Sequence, residues 1–186
     1  MSINEKCGVQ FTYKGLIECS KTYKKNDRLD NIPKQEKTYI WLKKLAITIL
    51  DPLVQRFGVI QLTYGFSSEA LVDEIKKNPL PGIQPDIDQH ASFELNQEGD
   101  RICARGGSAC DIFSEKITAK ELALWIMNHC DFDKIYFYGD HRPLHVSISE
   151  DMSGTIYLMK KIDGNKKIPI QCNKDNFLSK IELLQA

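Results

Sequence analysis

Residues 134–149 read KIYFYGDHRPLHVSIS, and this stretch decides the fold class. The pattern is typical of two short strands on either side of a turn. A third strand, TIYLMKK at 155–161, follows, and the turn DGN leads into KIPIQ as a hairpin. The segments before this stretch are mainly helical in pattern. Helices first and clustered antiparallel strands later predict an α+β fold rather than a doubly wound sheet.

The bulk composition is that of one ordinary globular domain, 1–186, with enough chain to bury a sizeable core. Lys+Arg and Asp+Glu are both 25, so the formal net charge is zero. A zero balance predicts neither a nucleic-acid nor a membrane partner. The polar start MSINEKCGVQ is no signal peptide, and the six cysteines form no CxxC. The sequence therefore predicts a cytoplasmic protein with reduced thiols.

The apolar spacing predicts the order of the remaining elements. A first helix is expected at 11–25 and a long amphipathic helix at 36–57. Pro52 should kink the long helix or begin a new turn, and Gly58 should end it. Next come a strand at 59–66, a helix at 68–77, a turn at NPLPG (78–82), and a loop at 86–105 that contains a short helix at 90–95. A buried strand is expected at 108–113, followed by a helix from Thr118 to Cys130 that begins with a capping box between Thr118 and Glu121. A last helix passes through Phe177, Ile181 and Leu184.

Three polar residues within this pattern are candidate ligands of one metal: His90, Asp111 and His145. A lone Asp in an apolar strand is costly unless it is paired or bound to a cation. Two histidines and one carboxylate leave a fourth tetrahedral position open, which is the catalytic pattern for zinc. Their wide spacing leaves a structural alternative open, in which Asp111 caps a strand end and His145 is a satisfied core histidine.

An ordered series of segments resembles the M15 zinc peptidases, the D-alanyl-D-alanine carboxypeptidase group that shares its fold with the Hedgehog signalling domain. The segments are FTYKGLIECSKT, NIP, ILDPLVQRFG, IQLTYGFSS in place of a strand running into SGYRS, DQH for SQH, GSACD for GxAxD, FDKIYFY for FDQLIxE, and LHVSIS for WVHVS. The likeness is to small phage and bacterial members and covers roughly 11–150. Residues 155–186 fall outside it as an extra hairpin and a C-terminal helix. The resemblance implies a Hedgehog/DD-peptidase-like α+β fold, with an antiparallel sheet packed by helices, and zinc bound by His90, Asp111 and His145.

The sequence departs from the family at residues that would act on a substrate. Ser67 stands in the substrate pocket where the family has an Arg, and Tyr138 stands where it has a Glu. A metallopeptidase needs a carboxylate to handle the water proton. Asp140 is the nearest replacement for this carboxylate, and His141 is the second. An Asp at such a position more commonly serves to stabilise the turn itself.

An insertion after the first histidine ligand adds further candidates. Arg101 or Arg105 within it, or Arg142 beside the site, would take over recognition of a substrate anion. Cys103 and Cys110 are candidate thiol ligands, and a thiol would close the site and make it structural.

The resemblance thus implies a zinc metallopeptidase or amidase that acts on a small peptide or peptide-like amide, including cell-wall peptide. A non-catalytic, zinc-containing binding module on the same fold is the alternative, because the expected Glu and Arg are missing. A carboxylate near the metal would favour the enzyme. Only Tyr138 and Arg142 nearby would favour the binding module.

Overall fold

The protein is described here by a computed structural model of residues 2–77, 84–162 and 167–185. Its helices are α1 (Tyr13–Ile17), α2 (Lys21–Lys25), α3 (Glu36–Leu45), α4 (Asp51–Phe57), α5 (Glu69–Lys77), α6 (Ala119–His129) and α7 (Phe177–Gln185). Its strands are β1 (Gln61–Tyr64), β2 (Ser108–Phe113), β3 (Lys134–Phe137), β4 (Leu144–Ile148), β5 (Thr155–Lys161) and β6 (Lys167–Cys172). None of the described helices is long and apolar enough to cross a membrane.

The six strands form one sheet in the order β1-β2-β4-β3-β5-β6. All neighbouring strands are antiparallel except β3 and β5, which run parallel. The chain reverses direction twice, at 138–143 and again at 149–154, and two reversals leave β5 parallel to β3. The predicted α+β class is confirmed, whereas the prediction of antiparallel strands is wrong for this one pair.

One face of the sheet is covered by helices. Helix α3 contacts β2, α6 contacts β3 and β4, and α7 contacts β5. Alternate side chains of the strands are buried beneath these helices, since successive residues of a strand point to opposite faces. The buried side chains of the central strands are Cys110, Ile112, Ile135, Phe137, Leu144, Val146, Ile148, Ile156 and Leu158. The other face of the sheet carries the polar residues described below.

The helix predicted at 36–57 is helical throughout, but its middle turn is wider than an α-helix. A π-helical turn, Ala46–Leu50, joins α3 to α4, and the N–H of Asp51 bonds the carbonyl of Ala46. Pro52 follows directly in the first turn of α4, where its missing N–H costs least. The prediction that Pro52 begins a new turn is confirmed. Gly58 ends the helix with a φ of 79°, also as predicted.

Two local predictions are wrong. Residues 11–25 form α1 and α2 rather than one helix, because Ser20 caps α2 by accepting the N–H of the residue three positions on. Residues 90–95 form turns rather than a helix. Gln89 and Ser92 have φ values of 70° and 51°, which a helix does not allow. The NPLPG turn (78–82), the DGN turn (163–165) and the side chain of Leu184 lie outside the described residues.

The other elements are confirmed in their main features. Thr118 and Glu121 form the capping box that opens α6. Strand β2 is almost completely buried on its helix-covered side. The hairpin partners β5 and β6 pair antiparallel, and Phe177 begins the last helix.

Candidate metal centre

The candidate ligands lie on the face of the sheet opposite α3, α6 and α7, which is named the open face although α5 packs against Tyr64 at its β1 edge. Asp111 of β2 pairs with His145 of β4, and His145 pairs with Tyr136 of β3. The row continues to Tyr64 in β1 and to Tyr157 in β5. Side chains of directly paired residues project from the same face of a sheet. One row across five strands therefore gathers two ligand candidates and three tyrosines.

A β-bulge in β1 brings Tyr64 into this row. Leu62 and Tyr64 pair with adjacent residues of β2, so Thr63 is an extra residue in β1. A bulge of this kind re-aims the next side chain, and bulges are common beside functional sites. The Tyr64 ring packs edge-on against the His90 ring, with the centroids 4.5 Å apart. The bulge thus builds one wall of the pocket around His90.

His90 enters the site from the loop between α5 and β2, and backbone contacts fix its ring. Its Nδ1 donates to the carbonyl oxygen of Gly65 at 2.7 Å, which leaves Nε2 as the nitrogen that faces the carboxylates. The carbonyl of His90 accepts the N–H of Ser67 at 3.0 Å. A Cβ at Gly65 would lie 2.1 Å from the carbonyl oxygen of Leu16. Only glycine fits where α1 passes β1, and that glycine orients the imidazole.

Gln89, which the sequence analysis did not single out, anchors the loop just before His90. Its side chain is fully buried and donates to the carbonyl of Gly106 at 2.8 Å and to Asp133 Oδ2 at 3.0 Å. Asp133 also accepts from the Ser153 hydroxyl at 2.6 Å. The only sequence signal for this anchor is its place next to His90 in DQH. The loop is therefore fixed to the start of β3 by side chains.

The three predicted ligands are brought together. Asp111 Oδ1 lies 2.9 Å from His145 Nδ1 and 3.5 Å from His90 Nε2. A tetrahedral zinc site with bonds of about 2.0–2.2 Å has ligand atoms about 3.4 Å apart. His90 and His145 are buried, whereas the Asp111 side chain is 19% exposed. One carboxylate oxygen thus faces both imidazoles: its 2.9 Å contact with His145 is a hydrogen bond, and its 3.5 Å distance to His90 is close to that between two ligands of one metal.

Asp88 is a second carboxylate at the same place. Its Oδ1 lies 3.9 Å from His90 Nε2. Asp88, His90 and His145 each offer a ligand atom within 4.8 Å of the others, so this group could hold a metal ion. Among the described residues, Asp88 Oδ1 and His145 Nε2 have no hydrogen-bond partner. Buried polar atoms without partners indicate a missing ion or water.

The electrostatics of the cluster favour a cation. Burial raises the pKa of Asp111, but hydrogen bonds from His145 and His90 outweigh burial and hold the pKa well below its usual range. Burial dominates at Asp88 and raises its pKa, although both imidazoles oppose this. Burial lowers the pKa of His90, but Asp88 and then Asp111 outweigh it, so the pKa is raised. The carboxylates attract positive charge to the imidazoles, as they would attract a metal ion.

The two predicted catalytic residues lie in the turn between β3 and β4. The Asp140 carboxylate is 3.7 Å from Lys120 Nζ, and its backbone carbonyl accepts the N–H of Ala119. Both partners belong to α6, which covers the opposite face of the sheet. His141 is exposed in the turn between β3 and β4.

Two of the predicted substrate residues have structural partners. Ser67 is fully buried, and its hydroxyl lies 2.6 Å from the hydroxyl of Tyr64. Arg105 donates to the carbonyl of Ile87 and hydrogen-bonds the Tyr136 hydroxyl. Arg105 thereby ties the loop that carries Asp88 to β3.

The remaining candidates are two arginines, predicted to bind a substrate anion, and two cysteines, predicted as thiol ligands. Arg142 is exposed next to His141, and Arg101 donates to a loop carbonyl at 3.2 Å. Cys110 points to the helix-covered face of β2, and burial raises its pKa well above the usual value. Burial raises the pKa of Cys103 as well. A thiol binds metal as the thiolate, so neither cysteine is prepared as a ligand.

Comparisons of the chain with family models, with curated proteins and with solved structures found no match. The candidate metal centre is therefore recognised from donor atoms, distances and burial alone. In the described part of the chain, the group whose donor atoms could hold a metal ion is Asp88, His90 and His145, with Asp88 in the place predicted for Asp111.

Proposed function

We propose that the protein is a zinc-dependent hydrolase of M15 type, with a Hedgehog/DD-peptidase-like fold, that cleaves an amide bond in a small peptide or peptide-like substrate. The observation that carries the proposal is the single oxygen of Asp111 that faces the imidazoles of His90 and His145. Two histidines and one carboxylate, without a thiol, are the donor set of catalytic zinc sites.

The donor set fits zinc in chemistry and in spacing. His90, Asp111 and His145 would hold the ion, and three protein ligands leave the fourth position for solvent and substrate. Zinc, when bound, polarises a carbonyl and lowers the pKa of a coordinated water toward neutrality. The hydrogen bond from His90 to Gly65 fixes the ring, so Nε2 would be the nitrogen that binds the ion.

Asp88 supplies the carboxylate that amide hydrolysis requires. Such a group takes a proton from water and returns it to the leaving amine. Asp88 Oδ1 lies beside His90 and has no hydrogen-bond partner among the described residues. Asp140 is instead paired with Lys120. We therefore assign to Asp88 the role that the sequence suggested for Asp140.

Metal content, measured by mass spectrometry on the purified protein, tests the proposal. Wild type should carry about one zinc per chain, and His145→Ala and Asp111→Ala should carry none. His129→Ala is the matched control, because this exposed histidine stacks on Trp125 of α6, away from the site. Wild type without zinc, after zinc has been supplied, would contradict the proposal.

A non-catalytic zinc-binding module is the second candidate, and two observations favour it. Ser67 is buried against Tyr64 and offers no charge to a substrate, while Tyr138 stands at the position of the family's Glu. Hydrolysis of a panel of blocked dipeptides by the zinc-loaded protein separates the two functions. Bound zinc without turnover of any member would support the binding module.

A further inference from the structure

Strand β5 extends the ligand-bearing face beyond the metal centre. The Tyr157 ring of β5 stacks on the Tyr136 ring of β3, with centroids 5.0 Å apart and planes 18° apart. Tyr136 in turn packs edge-on against His145, with centroids 5.1 Å apart. Both tyrosines are partly exposed. An aromatic floor therefore runs from a metal ligand to the part of the chain outside the M15 resemblance.

Three cationic side chains meet at one end of this face. Arg142 lies in the turn after β3, Lys161 ends β5, and Lys167 begins β6 directly opposite Lys161. Lys167 Nζ lies 4.6 Å from the centroid of the Tyr138 ring. Burial lowers the pKa of Lys167, and the charges of Arg142 and Lys161 lower it further. Within the described ranges, none of the three cations forms an ion pair.

This cationic cluster is close to the metal centre. Tyr138 lies two residues beyond Tyr136, so both side chains project from the same face, and Tyr136 pairs with His145. Two residues of strand span about 7 Å and neighbouring strands lie about 4.8 Å apart, which places the Tyr138 Cα about 8 Å from the His145 Cα. A dipeptide is long enough to bridge this distance.

We propose that Arg142, Lys161 and Lys167 form an anion site that binds a carboxylate or phosphate group of the amide substrate. The inference rests on the proposed function for the reacting end of that substrate. Like charges that gather repel one another, and a bound anion removes that cost. The site also supplies the positive charge that Ser67 does not. The β5–β6 hairpin, which carries Lys161 and Lys167, would then determine the specificity for an anionic substrate.

Calorimetry with three blocked probes tests the anion site. The probes are N-acetyl-alanyl-alanine with a free carboxylate, the same dipeptide as its C-terminal amide, and N-acetyl-phosphoserine amide. At least one anionic probe should bind about tenfold more tightly than the neutral amide, the effect of one charge-assisted contact. Whichever anion binds more tightly identifies the group as carboxylate or phosphate. The preference should persist in His145→Ala, since that variant keeps all three cations.

Charge-removing variants locate the site. Arg142→Gln and Lys167→Gln should each lose most of the preference for the anion. Lys160→Gln is the matched control, because Lys160 is an exposed lysine of β5 that points to the opposite face, and it should keep the preference. Equal binding of charged and neutral probes by wild type, or a preference that survives loss of both Arg142 and Lys167, would overturn the anion site while leaving zinc hydrolysis intact. A clear anion preference in a protein that binds no zinc would instead overturn the proposed hydrolase.

Discussion

The two faces of the same strands have different tasks. Toward the helices, Cys110, Ile112 and Val146 are completely buried among apolar neighbours. Toward the open face, Asp111 and His145 alternate with those residues in the sequence and belong to the candidate metal centre. A strand alternates with a period of two, so one residue separates a position that stabilises the fold from a position that performs chemistry. Variants on the two faces should therefore give separable losses.

The largest expected effect is on the open face. Asp88→Asn should lower the rate of amide hydrolysis about 10³-fold while zinc stays bound, because a carboxamide cannot accept the proton. Asp111→Asn should lose both zinc and activity. Zinc content and hydrolysis, measured on the same preparations with circular dichroism as a check of folding, distinguish the two carboxylates. If Asp88→Asn lost zinc and Asp111→Asn kept it, the assigned roles would be reversed.

On the helix-covered face, Ile112→Ala should lower the free energy of unfolding by about 3 kcal/mol, the cost of a cavity in a packed core. Zinc stoichiometry of the folded variant should not change, since the side chain points away from the ligands. Urea unfolding measures the first quantity and mass spectrometry the second. Val59→Ala, at a position 87% exposed, serves as the control and should change neither. Loss of zinc at unchanged stability would show that the faces are not independent.

Periodicity was sufficient to predict most of the elements, because helices and strands repeat at 3.6 and 2 residues. The register between neighbouring strands was not predictable in the same way. The pairing of Asp111 with His145 joins residues 34 apart, and the bulge at Thr63 leaves no mark on the alternation. The residue types had suggested His90 together with these two residues as ligands of one metal, and the family resemblance implied the same set.

The sequence analysis missed Asp88 and Gln89 for the same reason. Asp88 and Gln89 lie in DIDQH, a loop without a period. The loop is held by contacts of Gln89 with Gly106 and Asp133 and of His90 with Gly65, which no local pattern reveals. Asp140 was favoured as a catalytic residue because it is near His145 in sequence. Its side chain turns to α6, so closeness along the chain did not predict closeness in space.

Asp133, which supports the site from the start of β3, gives a pH-dependent contribution to stability. Burial raises its pKa, but hydrogen bonds from Ser153 and Lys134 outweigh burial and lower the pKa from 3.8 to about 2. The stabilisation of about 2 kcal/mol is complete above the unfolded value and is lost as pH falls through the folded value. Urea unfolding of wild type and Asp133→Asn should show a difference at about pH 6 that narrows by most of this amount near pH 2. A difference that does not depend on pH would contradict this assignment.

The smallest expected effect tests whether the open face depends on its buried anchor. Gln89→Ala removes the donors to Gly106 and Asp133, so the loop before His90 should be less well fixed. We expect about a tenfold weaker affinity for zinc, typical of lost support behind a ligand, and a loss of about 1 kcal/mol in unfolding free energy. Competition with a fluorescent chelator measures the affinity. Gln171→Ala is the control, because Gln171 is exposed at the far end of the same row of the sheet. If both variants bound zinc as tightly as wild type, the ligands alone would determine the geometry of the site, and the anchor would serve only the fold.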